Sequence, residues 1–106
     1  MREKLLVGVV KYAGYVEQCA LNTPTGLLDD IVCKKAGLNI DILRLLQYAL
    51  KCCYEIHLVE LESKGLSYNQ LAMDAFRQGI VDVVDTGTIS RVRMVNNTFA
   101  KLEEDC

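Results

Sequence analysis

The sequence lacks tryptophan and contains a single proline and a single histidine among its 106 residues. It has no Cys-x-x-Cys pair, so zinc-ribbon and thioredoxin-type sites lack the spacing they need. His57 cannot complete a mixed cysteine–histidine metal site by itself. The run Thr86-Gly87-Thr88 is too short to indicate a phosphate-binding loop. These absences predict a protein that holds neither a metal nor a cofactor.

Neither acidic nor basic residues are in large excess. Twelve basic and 14 acidic residues give a net charge of −2, with both signs interspersed. The sequence therefore has no basic stripe for nucleic acid or for an anionic membrane. The longest run without charge, residues 18–28, contains Pro24 and Gly26 and predicts no transmembrane segment. The apolar run at residues 5–10 is too short for a signal-peptide core, so the chain read alone is expected to be cytoplasmic.

Half of the residues are apolar, which is enough for one domain with a modest core. Three segments have the apolar pattern of strands. Residues 5–10 and 80–84 are short apolar runs typical of buried strands, and residues 54–61 alternate, with Ile56 and Leu58 on one face.

Two helices are predicted between these strands. Asn39 has the residue type of an N-cap, and Asp41 in the first turn would favour the helix dipole. Ser67 is predicted to cap a second helix that ends near Gln78, with Gly79 at its C-terminus. A long irregular stretch, residues 11–37, precedes the first helix and is expected to include a short helical turn within residues 27–33.

The alternation of strand and helix predicts an α/β lobe of three layers around a small, mainly parallel sheet. In such sheets, ligands bind beyond the carboxyl ends of the strands. Three clusters are expected to meet at that edge: residues 11–15, residues 37–41 and residues 86–93.

The five cysteines allow more than one interpretation. Cys19 and Cys33 bracket a turn-rich loop, and a disulfide between them would contribute roughly 3 kcal/mol. Alternatively, all five are small buried or incidental thiols. Cys52 and Cys53 lie near His57, but no orienting Asn or Asp is indicated, so we expect no thiol nucleophile and no enzyme activity.

Several motifs occur in the order found in one family. The motifs are Leu-x-Val at residues 5–7, Gly-x-x-x-Asp at 37–41, Tyr-x-Ile-x-Leu-Val at 54–59, Gly-x-x-Asp at 79–82, and a form of Leu-Thr-Ile-Thr-x-x-Arg at 87–93, followed by Phe99. In these motifs and their order, the chain resembles the first lobe of the type 3 periplasmic solute-binding proteins and, more closely, the ligand-binding domain of ionotropic glutamate receptors. The cysteine-bearing loop is similar to that of divergent nematode receptors.

The resemblance implies a binding site for an amino acid or a related carboxylate. In the family, the residue matched by Arg93 grips the ligand's α-carboxylate, which a planar guanidinium does with two hydrogen bonds. Thr88 would add hydroxyl and backbone donors, and the carbonyl of Thr86 would accept from the ligand's amino group. Two alternatives stay open: Arg93 forms a surface salt bridge, or Arg91 is the binding guanidinium.

The chain also departs from the family. Lys35 stands where the family has an aromatic residue that stacks on the ligand, and Gly87 replaces the leucine of the motif. Residues 1–106 match the first lobe alone, without a second lobe or a pore. We therefore expect a truncated, glutamate-type recognition lobe of a signalling receptor channel, on the extracellular side of the plasma membrane. The alternative is an orphan lobe that binds no ligand and acts as an interaction or structural module. An exposed sheet edge would favour homo-association in either case.

Overall fold

The computed structural model describes residues 3–50, 53–62 and 65–84. These residues form three parallel strands, two long helices and shorter helical segments. The predicted α/β class with a small parallel sheet is confirmed. Among the described residues, no helix has both the length and the apolar character needed to cross a membrane. The elements are β1 (Glu3–Val9), α1 (Gln18–Leu21), a 3₁₀ turn (Leu28–Asp30), α2 (Leu38–Leu50), β2 (Tyr54–Glu60), α3 (Tyr68–Gln78) and β3 (Val83–Val84).

Strand β1 is the centre of the sheet, in the order β2-β1-β3. It pairs in parallel with β2 along its whole length, from Glu3 opposite Tyr54 onward, and with β3 at Val7 and Gly8. Leu5, Val7 and Val9 are fully buried. A strand that is covered on both faces needs a nearly continuous apolar sequence, and β1 has one.

Helices α2 and α3 pack on opposite faces of the sheet, which gives three layers. The larger core cluster joins Leu43, Leu46 and Leu50 of α2 to the buried side chains of β1 and β2. The smaller cluster joins Ala72 and Ala75 of α3 to the other face. Because the chain crosses from β1 to β2 in one direction and from β2 to β3 in the other, right-handed crossovers require this arrangement.

The ends of α3 follow from local sequence. Ser67 is the N-cap: its hydroxyl accepts from the N–H of Gln70, and the Gln70 side chain accepts from the N–H of Ser67. This reciprocal capping box satisfies two helix-terminal donors. Gly79 ends the helix at φ +70°, a left-handed conformation that favours glycine. Both predicted boundaries of this helix are confirmed.

The third strand begins later than the predicted run of residues 80–84. The reason is that the Asp82 carboxylate takes the place of a backbone carbonyl as acceptor in the hydrogen-bond ladder with β1. The Asp82 N–H donates to the carbonyl of Leu6 at 2.8 Å, as in a sheet. The return bond runs from the Leu6 N–H to the Asp82 carboxylate at 3.0 Å. Within the described part of this segment, regular pairing begins at Val83.

The loop between β1 and α2 is irregular but well anchored. Leu28 and Ile31 are buried in the larger core cluster, and the expected helical turn is the 3₁₀ turn between them. A disulfide joins Cys19 to Cys33, the pair singled out from the sequence, with Cα atoms 6.0 Å apart. The loop is thus held both by side-chain burial and by a covalent bond.

The outer edge of β2 is covered rather than exposed. Gln47 of α2, which is 4 % exposed, donates from Nε2 to the Tyr54 carbonyl at 2.9 Å and accepts from the Ile56 N–H at 2.7 Å. The Leu58 N–H donates to the Gly26 carbonyl in the loop at 2.7 Å. The expectation of an exposed sheet edge is therefore wrong for β2, since an amide side chain and the loop take the place of a further strand.

We expect the substitution Gln47→Leu to lower the free energy of unfolding by about 2–3 kcal/mol, because it deprives a buried N–H and a buried carbonyl of their partner. Chemical denaturation measures this loss. Gln78→Leu is the matched control: Gln78 is exposed on α3, and its loss should change stability by about 0.5 kcal/mol or less. Equal effects of the two substitutions would show that the edge does not depend on Gln47.

The double substitution Cys19→Ser/Cys33→Ser should lower the free energy of unfolding by about 3 kcal/mol, because the loop is no longer closed in the unfolded chain. Denaturation without reductant compares the variant with the oxidised parent. Peptide mapping of the parent should recover Cys19 and Cys33 in one linked fragment. Free thiols at both positions in protein from an oxidising compartment would contradict the pairing.

Candidate functional site

The strand order creates one topological switch point. The chain leaves β1 toward β2 on one side, and it arrives at β3 on the other side of β1. Connections that diverge in this way leave a crevice beyond the carboxyl ends of the strands, where ligands of open α/β sheets bind. Here that edge of the sheet is marked by Val9 of β1 and Val84 of β3.

A short hairpin follows β1 at this edge. The Tyr12 N–H donates to the Val16 carbonyl at 3.0 Å, and the Tyr15 N–H donates to the Tyr12 carbonyl at 2.9 Å. The rings of Tyr12 and Tyr15 lie with centroids 5.4 Å apart and tilted by 56°. Both side chains are exposed, at 67 % and 45 % respectively. The hairpin therefore presents an aromatic pair to solvent beside the switch point.

The hairpin also caps the N-terminus of α2. The Leu38 N–H donates to the Gly14 carbonyl and the Asn39 N–H to the Tyr15 carbonyl, both at 3.0 Å. The predicted N-cap role of Asn39 is wrong: the helix begins at Leu38, because backbone carbonyls distant in sequence satisfy its first donors. Asp41 lies in the first turn, as predicted, and its carboxylate is 3.4 Å from Arg44.

Two of the three clusters predicted at this edge, residues 11–15 and 37–41, are thus joined by hydrogen bonds. The third cluster, with the predicted ligand residues Thr86, Thr88 and Arg93, lies outside the described residues, and its roles stay predictions. Val84 pairs with Gly8, near the carboxyl end of β1.

Sequence reasoning included Tyr12 and Tyr15 in the cluster at residues 11–15 but gave neither side chain a role. It looked for the aromatic residue two positions before Gly37, where Lys35 stands, exposed to solvent. The structure instead places Tyr15 against Gly37, close enough that a Cβ on Gly37 would overlap the Tyr15 carbonyl. The available signal was the pair of tyrosines three residues apart directly after a buried strand.

A concave region lies at the end of β2 and along α3. This cavity of about 290 Å³ has an apolar floor and three acidic residues on its rim, of which Asp74 accepts from Gln78 at 3.0 Å. Its charge disfavours a carboxylate ligand. Within the described part of the chain, no group of three or more His, Cys, Asp or Glu residues could hold a metal ion. The lining residues are Glu60, Leu61, Glu62, Leu71, Asp74, Ala75, Gln78 and Ile80.

Cys53 and His57, which were considered from the sequence as a thiol and a base, each interact with another group. His57 lies in β2 with Nε2 2.9 Å from a carboxylate oxygen of Glu55, on the same face of the strand. Cys53 is disulfide-bonded. A disulfide sulfur carries no thiolate, so Cys53 in this state is not a nucleophile.

Comparison with models of protein families, with curated proteins and with solved structures found no match. The function is therefore inferred from the residues of this chain.

Gly37 should be the least replaceable glycine near this edge. It combines φ +119° with backbone contact to Tyr15, whereas Gly14 has φ +84° and open space around it. We expect Gly37→Ala to cost about 3 kcal/mol or more, because backbone strain and overlap add. Gly14→Ala, the matched control, should cost about 1–2 kcal/mol from strain alone. Thermal unfolding compares the two variants, and equal losses would contradict the close approach of hairpin and helix.

Proposed function

We propose that this chain is an amino-acid recognition lobe of the ionotropic glutamate receptor type, in which Arg93 binds the ligand's α-carboxylate. The observation that carries the proposal is the junction of two predicted clusters. Gly14 and Tyr15 accept from the first N–H groups of α2, directly beside the switch point of a parallel sheet. The segment with Thr88 and Arg93 follows β3, which ends at the same edge.

The proposed role of each residue in binding the ligand follows from its chemistry. Arg93 supplies two parallel N–H donors to the carboxylate, and Thr88 supplies a hydroxyl. The Thr86 carbonyl accepts from the amino group. The N-terminus of α2 contributes less than an open helix end would, because two of its four free donors are already bonded to the hairpin. The affinity for the carboxylate is therefore assigned chiefly to Arg93.

The disulfides support an oxidising location. Cys19 is bonded to Cys33, and Cys53 is also in a disulfide. Such bonds persist in extracellular proteins and are rare in the reducing cytosol. We therefore place the lobe on the extracellular side of the plasma membrane, as part of a receptor, in preference to the cytoplasmic location expected from the N-terminal sequence.

One observation favours the alternative function, an orphan lobe that acts as an interaction module. Helix α2 exposes Leu45 and Tyr48 at 74 % each, on a face turned away from the sheet. Exposed apolar surface of this kind often marks a protein interface. The two functions differ in one measurable property, which is binding of a small α-amino acid.

Ligand-observed NMR with glutamate should detect weak binding, with a dissociation constant on the order of 1 mM, because a single lobe contacts one side of the ligand. Arg93→Lys should weaken binding about tenfold, since an ammonium cannot reproduce the two parallel hydrogen bonds. Arg91→Lys is the matched control and should bind like the parent.

The reverse ranking of the two lysine variants would show that Arg91, not Arg93, is the binding guanidinium. Absence of glutamate binding by the parent chain, confirmed with aspartate and glycine as further probes, would contradict the receptor function and favour the interaction module.

A further inference from the structure

The cavity between the end of β2 and helix α3 has an apolar floor. Leu61, Leu71 and Ala75 line it and belong to the buried core, whereas Ile80 lines it and is 41 % exposed. Ile80 is held beside the helix, because Gly79 ends α3 in a left-handed conformation and the Ile80 N–H donates to the Ala75 carbonyl at 3.2 Å. Part of this apolar surface is therefore open to solvent.

The rim of the same cavity is acidic. Glu60 and Glu62 lie at the end of β2, and Asp74 lies on α3. Gln78 Nε2 donates to one Asp74 oxygen at 3.0 Å, so the other oxygen can accept from a ligand. Among residues 3–50, 53–62 and 65–84, no Lys or Arg lies within ion-pair distance of these three carboxylates. The rim therefore carries three negative charges that this part of the chain does not neutralise.

The three carboxylates do not form a metal site. Although three acidic residues line the cavity, no such group in the described part of the chain is placed to hold a metal ion. A divalent metal ion requires several oxygen ligands within about 2.6 Å of one point. Carboxylates that lie apart around an apolar floor are matched instead by an extended organic cation.

A linear aliphatic diamine satisfies both the floor and the rim. Its methylene groups would cover the apolar floor, as the stem of a lysine side chain covers apolar surface. Its two ammonium groups would donate to carboxylates on opposite sides of the floor, one on α3 and one at the end of β2. The cavity volume of about 290 Å³ is close to the lower limit of roughly 300 Å³ for ligand pockets, so the ligand is small.

We propose that the cavity between β2 and α3 binds a linear aliphatic diamine, with one ammonium group at Asp74 and the other at Glu60 and Glu62. Ion pairs at an open rim are partly solvated and are screened by salt, so the binding is weak. The proposal is independent of the amino-acid site proposed above, because the residues differ and the negative rim disfavours a ligand carboxylate.

Amide chemical-shift titration of the isotopically labelled chain with the five-carbon diamine cadaverine, in low-salt buffer, tests the proposal. We expect saturable shifts at Leu61, Glu62 and Ala75, with a dissociation constant on the order of 1 mM. Raising the ionic strength to about 0.15 M should weaken the binding, because the Debye length falls to about 8 Å.

Asp74→Asn should weaken cadaverine binding about threefold, because it removes one charge and keeps an oxygen acceptor for Gln78. Asp29→Asn is the matched control. Asp29 is exposed on the 3₁₀ turn and does not line the cavity, so this variant should bind like the parent. Equal weakening by the two substitutions would show that net charge alone attracts the diamine, and would overturn the proposal.

Two further probes test the fit of the ligand. Pentylamine has one ammonium group on the same stem and should bind about threefold more weakly than cadaverine. Mg²⁺ has the same charge as the diamine without the methylene groups, and it should not reproduce the shifts. Equal binding of the two amines, the same shifts with Mg²⁺ at equal affinity, or no saturable shifts at the cavity would each overturn the proposal.

Discussion

The central position of β1 is the constraint on which the remaining structure depends. Its Leu5, Val7 and Val9 are fully buried, and it pairs with a parallel strand on each side. A side chain at Gly8 would require its neighbours to shift, because a Cβ there would lie 2.9 Å from Leu61 Cδ1 and 3.2 Å from Val81 Cγ1. Because the chain must pass β1 to reach β3, the helices divide between the two faces and the connections diverge at one end. The candidate site is a consequence of that divergence.

The long loop after β1 serves both the sheet and the site. Its middle covers the outer edge of β2 through the Gly26 carbonyl, and its start supplies the carbonyls of Gly14 and Tyr15 to α2. The Cys19–Cys33 disulfide closes the part of the loop that contains Gly26. The same loop therefore protects the edge of β2 and positions the backbone carbonyls at the start of α2. The buried amide of Gln47 completes the protection where the loop does not reach.

Sequence reasoning succeeded where the determinants are local and failed where they are distant. Ser67 and Gly79 act on donors and acceptors within one turn, so their roles could be predicted. Asn39 was assigned as a cap wrongly, because the carbonyls that bond the helix belong to residues more than twenty positions earlier. Gln47 gave no signal, since a polar residue in a helix normally faces solvent. The contact between residues 11–15 and 37–41 was predicted and is observed, whereas the site itself and the ligand-binding roles of Thr86, Thr88 and Arg93 stay predictions.

The central claim is that an amino-acid ligand binds at the carboxyl edge of the sheet. Amide chemical-shift mapping of the isotopically labelled chain during titration with glutamate tests it most directly. We expect shifts at Tyr15, Leu38 and Asn39, because their amides belong to the junction between hairpin and helix, and in the segment that contains Arg93. Shifts confined to the acidic cavity around Glu60 and Asp74, or no saturable shifts at all, would contradict the account.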